Sequence, residues 1–272
     1  MRDLAALLLL AVAPGVAGAR PVDLPAATGP CAAVAPALAR AGDWLAAFPP
    51  AELRFDAAVM LSQTRRRVDG EALRRAFEIA RSVADRDDDN PQRRFWIAEL
   101  AAPPEHTSRW TLPDAPGARV NTNRVVAEAL FCAENGWRPE TMAYACGRMR
   151  DGGGYHSTHA LWALDLARRR GCVAKPAFHA CARAIAAEVL AAQPARLAPA
   201  NSLDVDLYAE RLLVLTLAGW PVRRLDPSAR MLLARQNGDG SWAVPGAEEP
   251  AYHGYHATAM ATWALAEWCR RP

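Results

Sequence analysis

The chain has 272 residues, 51% of them hydrophobic, and a formal net charge of +3. That length supports one full-sized hydrophobic core. The small charge excludes the basic excess of a nucleic-acid binder.

Residues 1–19 read as a signal peptide. Leu4 to Val12 is an unbroken apolar run, too short to span a bilayer as a mature helix. Small residues at Ala17-Gly18-Ala19 suit cleavage before Arg20; an uncleaved anchor is the alternative. Residues 20–272 then form a single exported domain, periplasmic or secreted from a bacterial cell, with no transmembrane segment after the leader. The sequence leaves the oligomeric state open. All six cysteines fall in this part, and an even count in an exported chain points to disulfides, with fifteen connectivities if all pair.

Pro21 to Pro36 is rich in Pro, Ala and Gly and reads as an irregular lead-in. Helical periodicity follows. Ala37 to Phe48 places Leu38, Ala41, Leu45 and Phe48 on one side and stops at Pro49-Pro50. Glu52 to Gln63 and Gly70 to Asp85 predict a helical pair. Asp85 to Asn90 is a charged turn, and the proline-rich stretch from Ala101 to Ala118 reads as a surface loop. No stretch alternates apolar and polar residues for long enough to be a strand, so the fold class is all-α.

From Asn121 onward a pattern occurs twice. The first copy runs Ala127-Glu128, Gly136-Trp137, Asp151-Gly152, Tyr155-His156-Ser157-Thr158 and Trp162-Ala163-Leu164. The second runs Ala209-Glu210, Gly219-Trp220, Asp239-Gly240, Tyr255-His256-Ala257-Thr258 and Trp263-Ala264-Leu265. Repeated units that cannot bury their apolar faces alone must pack on one another. Helical hairpins closing into a ring satisfy this, with an open solenoid as the alternative.

Two stretches resemble a known superfamily. Gln236-Asn237-Gly238-Asp239-Gly240-Ser241-Trp242 resembles the QW repeat of squalene–hopene-type cyclases, and Gly254-Tyr255-His256-Ala257-Thr258 resembles the Tyr-His-Thr segment of protein prenyltransferase β-subunits. The resemblance covers mainly residues 121–268 and implies an α/α toroid, the shared fold of both families. Asp204-Val205-Asp206-Leu207 is similar to the cyclase Asp-x-Asp-Asp motif with its last acid replaced, which implies an acid role for Asp206. It is also similar to the prenyltransferase Asp-x-Cys segment. There Asp204 and His256 match zinc ligands, and Asp206 stands in place of the cysteine.

The residues themselves allow three chemistries. Asp204, Asp206 and His256, with His253 and His159 as further ligands, would give an oxygen-and-nitrogen site for zinc that leaves room for a water. Glu210, one turn below Asp206, would support it or act as general base. This leading expectation is a metal-dependent hydrolase with no nucleotide cofactor, acting on a small-molecule, lipid or glycan ligand in a central cavity. A non-catalytic toroid that binds a ligand or peptide is the second reading. A metal-free, acid-catalysed lyase or cyclase using Asp206 or His156 is the third. Asp204 also has a purely structural reading as a helix cap.

Overall fold

A computed structural model describes residues 30–54, 56–84, 122–130, 132–172 and 175–270. The expected signal peptide, the charged turn after Asp85 and the Ala101 to Ala118 loop lie outside the described residues. Among the described residues the chain is all-helical with no strand.

The principal helices are α1 (Pro30–Ala47), α2 (Asp56–Arg65), α3 (Glu71–Ala84), α4 (Thr122–Leu130), α5 (Pro139–Tyr144), α6 (Gly154–Arg169), α7 (Lys175–Ala191), α8 (Ser202–Leu217), α9 (Val222–Ala234) and α10 (Ala251–Cys269). α1 begins at Pro30, inside the stretch expected to be irregular. A proline suits a helix start because its missing N–H has no partner there anyway, and Cys31 is tied by a disulfide to Cys269 at the end of α10. Pro36 lies within α1 and is exposed.

α2, α10, α8, α6 and α4 pack side by side in that order, and α10 and α8 share the largest interface. α1 and α3 back the α2–α10 end, α9 covers α8 and α10, and α7 covers α6 and α8. The sequence encodes these two layers. α3 buries only Leu73, Ala76, Phe77, Ala80 and Ala84, the stripe of a helix with one wet face. α10 buries residues on every side, from Tyr252 to Cys269, and its hydroxyls are satisfied internally: Thr258 donates to the Gly254 carbonyl and Thr262 to that of Thr258. Closure of the row into a ring is not seen among the described residues, so the toroid stays an expectation.

The Gln236–Trp242 segment is a structural clasp. The Gln236 amide donates to the carbonyls of Ala37 in α1 (2.8 Å) and Gly240 (2.9 Å). Trp242 is buried, and its indole N–H donates to the Leu232 carbonyl at 2.7 Å while its backbone N–H reaches Thr258 Oγ1 at 3.0 Å. The motif thereby fixes α1, α9 and α10 to one another. Its third and fifth residues, both glycine, have different reasons, of which only that at Gly240 is steric: its φ is +94°, and a Cβ there would meet the Arg40 carbonyl oxygen at 2.4 Å.

All six cysteines pair, as Cys31–Cys269, Cys132–Cys172 and Cys146–Cys181. Such pairing fits an oxidising compartment. No described helix is long and apolar enough to cross a membrane.

Candidate functional site

α2, α6, α8 and α10 together line a cavity of about 340 Å³. Helical spacing explains how. Tyr155, His159 and Trp162 lie on one face of α6; Leu203, Asp206, Glu210 and Leu213 lie on one face of α8; Tyr252, His256, Met260 and Trp263 lie on one face of α10. Asp56 and Met60 come from α2. The polar residues stand near the helix N-termini. One or two turns further along come Leu213, Val214, Met260, Trp162 and Trp263, so the cavity has a polar rim and an apolar floor.

At the centre of the rim is His256. Its Nδ1–H donates to Asp206 Oδ1 at 2.7 Å, and Nε2 stands 3.7 Å from Asp56 Oδ2. Asp206 is buried, 1% exposed. Its other oxygen accepts from the Tyr155 hydroxyl at 2.7 Å, with the Leu203 carbonyl 3.1 Å from the same hydroxyl. Asp56 in turn accepts from the Tyr252 hydroxyl. Arg54 covers the Tyr252 ring, its guanidinium carbon 4.8 Å from the centroid.

Burial alone would lower the His256 pKa. The charge of Asp206 and its hydrogen bond, then the charges of Asp56 and Glu210, outweigh burial and raise it to about 9. Burial raises Tyr155, and the neighbouring Asp206 raises it further; burial and then Asp56 act the same way on Tyr252. Both tyrosines are thus held as neutral donors.

A second pair lies one turn deeper. His159 Nδ1 is 2.8 Å from the Tyr155 carbonyl and 3.0 Å from Glu210 Oε1. A carbonyl only accepts, so Nδ1 carries the proton shared between them. Burial lowers the His159 pKa, but the charge and hydrogen bond of Glu210, with the Tyr155 carbonyl and Asp206, bring the net shift upward. The His159 ring meets Trp162 edge-on at 6.2 Å, and Trp162 meets Trp263 the same way at 6.0 Å.

The structure sorts the sequence candidates. Asp206, His256, Glu210 and His159 converge on the cavity, and His253 stands at its rim, 3.6 Å from Glu249. Asp204 does not join them in the cavity lining and is engaged as a helix cap. Its carboxylate accepts from the backbone N–H groups of Ala200 (2.8 Å) and Asn201 (3.3 Å), and its own N–H donates to Asn201 Oδ1. This is a reciprocal capping box at the start of α8. His156, offered as a catalytic acid, is exposed and does not line the cavity. The donor set named for zinc therefore does not assemble: Asp204 serves the cap, and both Asp206 oxygens already accept hydrogen bonds. Among the described residues no three His, Cys, Asp or Glu side chains are grouped to hold a metal.

Sequence reasoning missed Asp56 and Arg54, and it missed the hydrogen bonds that Tyr155 and Tyr252 donate to carboxylates. A signal for the tyrosines was present in the spacing. Tyr155-x-x-x-His159 on α6 and Tyr252-x-x-x-His256 on α10 recur at one helical turn, and each tyrosine and histidine meets a carboxylate. Aligning the copies on Tyr-His-x-Thr paired His256 with His156, whereas the cavity pairs it with His159.

Comparison with protein-family models, with curated proteins and with solved structures gave no match. The likeness to the toroid superfamily rests on the short motifs alone.

Proposed function

We propose that this chain is an exported enzyme that cleaves a C–O bond by general acid–base catalysis in the α2–α6–α8–α10 cavity. The observation that carries this reading is one imidazole bracketed by two carboxylates from different helices, at the junction of a polar rim and an apolar floor. His256 is the acid. With a pKa of about 9 it is protonated at neutral pH and gives up its proton to a departing oxygen that reaches Nε2 from the cavity side. Asp206 is the positioning residue: its two hydrogen bonds fix the ring tautomer and the Tyr155 hydroxyl. Asp56 is the group placed to accept a proton from an attacking water, giving hydrolysis, or from the adjacent carbon, giving elimination. This reading moves the acid role from Asp206 and His156 to His256, and it supports the metal-free alternative over zinc hydrolysis.

The test is turnover of aryl esters and aryl glycosides by the mature protein, with and without a chelator. Release of the aryl alcohol that survives chelation and falls at least ~100-fold in His256→Gln, within the usual range of a lost general acid, is the expected outcome. Activity abolished by the chelator and restored by zinc would replace this reading with the metal-dependent one. Full activity in His256→Gln would overturn it as well. Tight ligand binding with no turnover would favour the binding-protein alternative.

A further inference from the structure

The acid and the base of this site stand close together. Asp56 Oδ2 is 3.7 Å from His256 Nε2, and both side chains stay open to the cavity, 29% and 24% exposed. Displacement at a saturated carbon needs the attacking and departing oxygens on opposite faces. Carboxyl pairs that do this to a glycoside stand about 6.5–9.5 Å apart when a water lies between them, and about 5–5.5 Å apart when one attacks directly. A gap of 3.7 Å admits neither. It does suit a proton and an oxygen that leave from one face of two adjacent carbons. Attack at a flat acyl carbon also uses one face, so the spacing leaves ester hydrolysis and syn elimination.

Arg54 decides between them. Its side chain is exposed, lines the cavity and lies over the Tyr252 ring, 4.8 Å from the centroid. Among the described residues its guanidinium makes no hydrogen bond or ion pair. Tyr252 donates to Asp56 Oδ1, which leaves Oδ2 as the basic oxygen. A guanidinium without an acid beside it offers a planar fork that matches a carboxylate. Ester hydrolysis has no use for that fork. Elimination does, because a carboxylate acidifies its neighbouring C–H only when its negative charge is met.

We propose that the substrate is a carboxylate with an oxygen substituent on its β carbon, held by Arg54 and cleaved by syn elimination. Asp56 Oδ2 takes the α proton, and the C–H electron pair becomes the second bond of C=C. The C–O bond breaks, and its oxygen takes the proton from His256 Nε2. The products are an α,β-unsaturated carboxylate and an alcohol. Asp56 is left protonated and His256 neutral, and the short gap between them lets the proton return, so no co-reactant is consumed.

This proposal rests on the acid role of His256 and chooses elimination over hydrolysis. The experiment follows nitrophenolate release and proton NMR of the products from 3-(4-nitrophenoxy)butanoate, its amide, and 4-nitrophenyl butanoate. But-2-enoate is the expected product of the first probe. The carboxylate is expected to react at least ~10-fold faster than the amide, although the amide is the stronger carbon acid in water. Arg54→Met should abolish that preference and Arg54→Lys keep part of it. Deuterium placed stereospecifically beside the carboxylate should leave only from the face that carries the departing oxygen. The absence of but-2-enoate, or 3-hydroxybutanoate in its place, overturns the proposal, and so does loss of the label from the opposite face. An amide as fast as the carboxylate overturns it, as does a preference unchanged in Arg54→Met. Comparison with His256→Gln separates the two readings. Ester cleavage that falls in this variant, with no but-2-enoate from the native protein, removes the elimination and leaves the acid–base reading. But-2-enoate formed by the variant at the native rate removes both.

Discussion

His256 concentrates the chemistry of this molecule, because two opposing effects act on one ring. Burial disfavours the imidazolium, while Asp206 at 2.7 Å and Asp56 at 3.7 Å favour it more. Nitrogen-15 NMR of the labelled side chain is expected to show titration near pH 9. In Asp206→Asn the leading favourable charge is gone and burial remains, so the midpoint should move down by at least a unit; a midpoint that does not move would mean Asp206 does not hold the proton. The same shift links stability to pH. A group whose pKa rises on folding from 6.5 to about 9 contributes stability fully below pH 6.5, and that contribution is lost as pH climbs through 9. Melting temperatures of the native protein and His256→Gln should therefore converge between pH 6.5 and 9.5. A gap that widens with pH would contradict the assignment. What the sequence disclosed at this scale was half the cluster. Asp206 and Glu210 stood out because carboxylates near a helix start, one turn apart, share a face. Asp56 did not, since 150 residues separate it from Asp206 and only the packing of α2 against α10 brings it in.

Elements were more legible than side chains, and for a physical reason. The 3.6-residue stripe of α3 is local, and so are the Asn201 and Asp204 signals that start α8. The capping competitor for Asp204 was visible in the sequence, and geometry resolved it: an acid at the third position of a helix reaches back to the free N–H groups before it reaches across a cavity. The start of α1 was less legible because its prolines and glycines resemble a linker, and the Cys31–Cys269 bond that anchors it spans nearly the whole chain. The Gln236–Trp242 clasp offers a test at this scale. Gly240→Ala forces a non-glycine residue to a φ of +94° and drives its Cβ against the Arg40 carbonyl. Urea denaturation should show a loss of about 1–3 kcal/mol, the usual cost of such a conformation. Gly238→Ala, two residues earlier, has nothing within 4 Å of the added Cβ and a permissive φ, and should change stability by less than about 0.5 kcal/mol. Equal losses would mean the clasp is not set by that close approach.

At the scale of the whole molecule, a disulfide joins α1 to α10. α10 is the most fully buried helix among the described residues. Beside the cavity bonds of Tyr252 and His256, it is held by the clasp through Thr258, the Arg67–Glu267 ion pair at 2.8 Å, and the Cys31–Cys269 disulfide. The disulfides differ greatly in the chain they enclose, with sequence separations of 238, 40 and 35. If their effect is mainly on the entropy of the unfolded chain, the longest loop stabilises most, by roughly 1–2 kcal/mol over the shorter ones. Replacing each pair by alanines and following thermal unfolding should then lower the midpoint most for Cys31 with Cys269. The cavity draws Asp56 from α2 and His256 from α10, so that variant should also weaken catalysis before it unfolds, as α10 loses its covalent tie to α1. A Cys146–Cys181 variant that melts lower than the Cys31–Cys269 variant would show instead that the tie between residues 145–149 and α7, not the tie between α1 and α10, sets the stability of the molecule.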